Sequence, residues 1–157
     1  MREQSGTVER EMSGTPAAIW AYRLDFRNLP GYNPNVKNLE HLKDGAGDGV
    51  GSTYRFDLVG PAGSFPVEIE VSRTEPDRVV AIEMRGALPA AEVFTIEPLA
   101  DKDSESGSRS SVAVALTLRI PDEFPEAGDE ALLAGGLRQL ADELDAMARA
   151  VTERTDS

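Results

Sequence analysis

No cysteine occurs among the 157 residues, which excludes disulfides, thiolate nucleophiles, Cys-ligated zinc and iron–sulfur clusters together. A single histidine, His41, leaves no material for a His-rich metal site or for most catalytic triads. Basic residues are also scarce. Lys and Arg number 16 against 28 Asp and Glu, and a formal net charge of -12 repels a phosphate backbone or an anionic lipid surface. Neither nucleic acid nor stable membrane association is expected. Apolar runs such as Val79 to Ile82 and Val112 to Leu116 are far too short to span a bilayer. The opening Met-Arg-Glu-Gln-Ser-Gly has no apolar stretch of the secretory kind, so a cytoplasmic protein is expected. No metal or cofactor is called for. The densest acidic stretch, Asp101-Lys102-Asp103-Ser104-Glu105, lacks the glycine and terminal glutamate of a calcium loop.

What remains is an ordinary globular composition. Hydrophobic residues make up 40%, and with 14 glycines the apolar share approaches half, enough for one domain with its own core. That domain is expected over residues 7–154, between flexible tails at 1–6 and 155–157. Thr7 to Met12 alternates like a strand. Thr15-Pro16 then signals a helix start, because a threonine side chain can cap the first free amides and proline fits the first helical position. The helix runs from Ala17 to Leu24 and gives way to the breaker-rich Leu29-Pro30-Gly31-Tyr32-Asn33-Pro34, read as a short helical turn or loop.

From Val36 onward the punctuation predicts strands at Val36 to Leu42, Gly51 to Val59, Phe65 to Arg73, Arg78 to Arg85, Glu92 to Leu99 and Ser111 to Ile120. Their alternation, clearest in Phe65, Val67, Ile69 and Val71, buries one face and wets the other, as in an antiparallel sheet. Every connection is too short for a crossover helix, so a meander follows. Ala100 to Ser110 reads as a solvated hairpin tip. Asp129 to Arg154 is helical, with an apolar seam at Leu133, Gly136/Leu137, Leu140, Leu144, Met147 and Val151 that suits a cover for the sheet. Arg138, Asp142, Glu143, Asp145 and Arg149 fall mainly on other faces. Gly135-Gly136 in mid-helix signals close backbone approach, a bend, or room for something else.

Thr15-Pro16-Ala17-Ala18-Ile19-Trp20, the Asp25 to Pro34 segment with its Pro30, Tyr32 and Pro34, and Gly49-Val50-Gly51-Ser52-Thr53-Tyr54-Arg55 occur in an order and spacing that resemble the START-like superfamily. This superfamily is also called SRPBCC or Bet v 1-like, and the resemblance is to its polyketide cyclase/dehydrase and lipid-transport branch. It covers about residues 7 to 154, with Tyr32 standing where tryptophan is common. It implies an α+β helix-grip fold, a curved antiparallel sheet of about seven strands wrapped around the C-terminal helix, with two short helices after the first strand and a cavity for an apolar ligand. Gly49-Val50-Gly51 itself is no phosphate loop, since it lacks a third glycine and a following helix.

The expected function is binding or transport of a small hydrophobic molecule (a lipid, isoprenoid, quinone or polyketide). The alternatives are a polyketide cyclase/dehydratase-type enzyme and a protein-interaction module of the chaperone-activator kind. Tyr54, Phe56 and Leu58 share one strand face, and Val80, Ile82 and Met84 share another. With Phe94 and with Leu133, Leu137 and Leu140 of the helix they are the expected ligand-binding wall. Tyr32 lies in the segment that borders the cavity mouth in this superfamily. His41 and Tyr32 are the weak candidates for a proton shuttle, although no local spacing supplies His41 with an orienting partner. Glu83 and Glu92 are candidate acids or ligand anchors if they point inward and solvated charges if they do not. Trp20 is read as core, and Arg55 as facing away from its aromatic neighbours.

Overall fold

A computed structural model of the chain describes residues 1–61, 63–99 and 108–156, with side chains through residue 152. The strands are β1 (Arg2–Ser13), β2 (Val36–Lys43), β3 (Thr53–Gly60), β4 (Gly63–Glu75), β5 (Val79–Arg85), β6 (Ala90–Pro98) and β7 (Arg109–Ile120). Helix α1 spans Pro16–Leu24 and helix α2 Asp129–Asp156, with 3-10 turns at Phe26–Gly31 and Glu126–Gly128. The expected hairpin tip between β6 and β7 lies mostly outside the described residues.

Local sequence accounts for the entry to α1. Thr15 Oγ1 accepts a hydrogen bond from the Ala18 amide at 3.1 Å, and Pro16 occupies the first helical position. Asp25 ends α1 and caps the next turn, its Oδ1 accepting from the Arg27 amide at 3.1 Å. The α1 face that enters the core carries Ile19 and Arg23, one turn apart.

The strands form a single antiparallel sheet in the order β1-β7-β6-β5-β4-β3-β2. It is a meander from β2 to β7, with β1 closing back along β7. Strand β1 begins at Arg2 rather than Thr7. Residues 2–6, read as a flexible tail, pair with Leu116 to Ile120, and Arg2 grips Asp129 at the start of α2 through Nε and Nη2 at 2.8 and 3.0 Å. The polar composition of the tail concealed a fully paired strand, because backbone pairing asks nothing of the side chains that face water. Helix α2 packs along β1 and β7. Leu144, Met147 and Val151 are buried beneath it with Ile19, Val112 and Val114, each worth about 1.5–3 kcal/mol relative to an exposed position. Trp20 completes this layer by donating Nε1–H to the Val79 carbonyl at 2.9 Å. No described helix is long and apolar enough to cross a membrane.

Candidate functional site

Between the sheet and the helices lies a cavity of about 490 Å³. Phe56 and Leu58 of β3, Val67 and Ile69 of β4, Ile82 and Met84 of β5, and Leu116 and Leu118 of β7 form its sheet wall. Leu132, Gly136, Gln139, Leu140 and Glu143 form the α2 wall. From Leu132 to Glu143 the helix advances about 16 Å along this wall. The exposed lining residues Phe65, Pro66, Arg85, Gly86 and Ala87 mark the mouth. Gly136 explains half of the glycine pair: a Cβ there would meet Leu116 Cδ2 at 3.0 Å, whereas Gly135 faces open space.

The inner end is polar. Arg23, only 4% exposed, donates from Nη2 to Glu92 Oε1 at 2.9 Å and from Nη1 to the Tyr32 hydroxyl at 3.3 Å. Its Cζ lies 4.9 Å from the ring centres of both Phe26 and Phe94, a cation–π arrangement on two sides. The Arg23 Nε is buried with no hydrogen-bond partner among the described residues. Asn33 donates from Nδ2 to Glu143 Oε1 at 2.9 Å, while its own oxygen accepts from the Asn35 amide at 3.0 Å. Both ends of that amide are therefore engaged, and its orientation is fixed.

Burial, followed by the charge of Glu92, pushes the Glu143 carboxyl up to about 7, against the opposing pull of Arg23 and Asn33. The Tyr32 hydroxyl is pushed up to about 12 by burial, which outweighs the nearby Arg23. Burial acts to lower the Arg23 pKa, but Tyr32, Glu92 and Glu143 more than reverse it. Arg23 is thus held as a cation, Tyr32 as a neutral phenol, and Glu143 as a carboxyl that titrates near neutrality. These groups can bind a polar head and can exchange a proton with it.

The residues singled out from the sequence divide. Phe56, Leu58, Ile82, Met84 and Leu140 line the cavity. Tyr54, Val80, Phe94, Leu133 and Leu137 belong to the surrounding hydrophobic packing instead. Tyr54 is buried against Phe26 with ring centres 5.6 Å apart, and Phe94 lies beneath Arg23. Leu137 presses on β1, where a Cβ at Gly6 would meet its Cδ1 at 2.7 Å. Tyr32 is fully enclosed, lies outside the cavity lining, and accepts a hydrogen bond from Arg23 through its hydroxyl. His41 stands at the sheet edge, stacked on Tyr54 at 4.4 Å with Nε2 3.5 Å from Asp44, outside the cavity lining. A bulge between Lys37 and Glu40, with Asn38 at φ 57°, breaks the simple alternation from which its face was read. Glu83 points away from the cavity and is held below its usual range by hydrogen bonds from Arg119 at 2.6 and 3.3 Å. Glu92 points inward. Arg23 and Glu143 were not among the sequence candidates, and Glu143 lies on the cavity rather than on an outer face.

Comparison with known proteins is consistent with this architecture. A family model described as polyketide cyclase / dehydrase and lipid transport matches residues 3–152. A conserved protein of Geobacillus kaustophilus is similar in structure, with a TM-score of 0.77 and 18% identity over 96% of each chain. A START superfamily protein of Mycobacterium smegmatis gives 0.73 and 21%, over 95% of this chain and 98% of that one. The Zhui aromatase/cyclase from Streptomyces sp. R1128 gives 0.73 and 13%, over 98% and 96%. No curated protein matches the chain by sequence.

Proposed function

The chain belongs to the polyketide cyclase / dehydrase and lipid transport family, and from that premise we propose that it binds and carries a small hydrophobic molecule in the cavity between sheet and α2. The candidate ligands are a lipid, isoprenoid, quinone or polyketide. One observation carries the reading: an apolar cavity of about 490 Å³, within the range of small-molecule sites, that ends in a buried polar cluster. Apolar walls supply affinity without direction, and the cluster supplies one end that prefers oxygen atoms. The interaction-module alternative called for a solid core, which this cavity does not resemble. Nile red fluorescence tests the proposal. Binding by the unmodified protein, weakened about tenfold or more in the space-filling variants Ile82→Trp and Met84→Trp while both keep a cooperative unfolding transition, is the expected result. Undiminished binding in both folded variants contradicts the reading.

A second reading, a cyclase/dehydratase-type enzyme, is favoured by the approach of two carboxylates and a guanidinium at the inner end. In that reading Glu143, rather than His41 or Tyr32, exchanges a proton with a bound carbonyl chain. Turnover of a poly-β-carbonyl substrate that is lost in Glu143→Gln and retained in His41→Ala would support it.

A further inference from the structure

The inner cluster holds one cation, Arg23, and two carboxylates, Glu92 and Glu143. Among the described residues, the groups acting on Glu143 are Arg23 from α1, Tyr32 and Asn33 following the 3-10 turn, and Glu92 from β6, with Tyr22 beside Tyr32 at 5.8 Å. Glu92 and Tyr32 each take one N–H of an Arg23 Nη group, while the buried Arg23 Nε has no partner among the described residues. Asn33 is locked so that it donates to Glu143 Oε1. The other Glu143 oxygen and the Gln139 amide, one turn earlier on the cavity wall, make no hydrogen bond among the described residues.

We infer that this inner end receives an uncharged, hydrogen-bond-accepting ligand head, a ketone, aldehyde or ester carbonyl, and excludes a carboxylate. The inference rests on the binding reading above and specifies what that site selects. A carboxylate would place a second anion beside Glu92, and a third once Glu143 ionises, around a single guanidinium already paired within apolar walls, where an uncompensated charge is expensive. A neutral acceptor meets the O–H of protonated Glu143 and the N–H of Gln139, and adds no charge. An ammonium head requires Glu143 to lose its proton. That ionisation is opposed by burial and by the charge of Glu92. Burial beside Glu92 raises the Glu143 pKa to about 7, so the required proton is held below neutrality and released above it.

Displacement of Nile red by 2-decanone, decanoate and decylamine, at about pH 5.5 and about pH 8.5, tests this in the full chain and in Glu143→Gln. The ketone is expected to displace the dye about tenfold or more better than decanoate at both pH values, and to weaken a few-fold at the higher pH as Glu143 ionises. Glu143→Gln, which keeps a neutral donor, should abolish that pH dependence and raise decanoate affinity at high pH. Decanoate equal to the ketone at high pH, decylamine tighter than the ketone, or an unchanged pH dependence in Glu143→Gln would each overturn the inference while leaving a binding cavity intact. If the dye itself does not bind, the cavity reading fails and takes this one with it.

Discussion

Along one flank of α2, Leu137 lies so close to Gly6 of β1 that a single added methyl would collide with it, and Leu144 and Met147 are sealed beneath the helix. Along the other flank, Leu132, Gly136, Gln139, Leu140 and Glu143 look across a cavity. The two stripes, 133-137-140-144 and 132-136-139-143, are offset by one residue, with Leu140 of the first also touching the cavity, yet one is a packed seam and the other a wall. Packing needs a strictly apolar stripe, whereas a wall tolerates glycine, an amide and a carboxyl, because it faces open volume rather than close-packed side chains. A helix can therefore be amphipathic in the usual sense and still present a second, mixed face to an interior.

Breaking the inner cluster is expected to have the largest effect. Arg23→Ala removes the one cation of the inner cluster and leaves Glu92 buried without its partner. It should cost about 3–5 kcal/mol in chemical denaturation and impair ligand binding as well. Leu144→Ala acts on the packed flank only. A loss of about 2–5 kcal/mol is expected, with Nile red affinity in the folded fraction unchanged.

Glu143→Gln should act in the opposite direction and depend on pH. The folded-state pKa of Glu143 is raised above the 4.5 of the unfolded chain to about 7. Its contribution is therefore fully present below about pH 4.5 and is lost as pH rises through about 7. The glutamine variant escapes that loss, so it should match the unmodified protein near pH 4 and exceed it by about 1–3 kcal/mol near pH 8.5 in paired denaturant titrations. Smallest of all, His41→Ala should shift stability by about 1 kcal/mol or less and leave binding unchanged, since the ring stacks on Tyr54 at an exposed edge.

The same offset explains what could be read from the sequence. Strand positions were legible because alternation and Gly/Pro punctuation act locally, as in Phe65 to Val71 and Val112 to Ile120. The seam of α2 was legible for the same reason. The cavity stripe was not, because apolar periodicity places a charged residue such as Glu143 on another face. Arg23 was missed on similar grounds, although its position one turn after the fully buried Ile19 was the available signal. Glu92 could be flagged from the alternation of β6 with Phe94 and Ile96, but its partner on α1 is 69 residues away in sequence. No local pattern joins them. His41 illustrates the reverse error, since its chemistry attracted notice while a bulge in an edge strand set its environment.

Methyl-resolved NMR of the protein titrated with 2-decanone tests the central claim most directly. Shifts are expected to concentrate in Leu116, Leu118, Leu132, Leu140 and Met84, with Leu133, Leu137 and Leu144 almost still. Shifts centred on the Leu133, Leu137 and Leu144 stripe, or spread evenly over both, would contradict it.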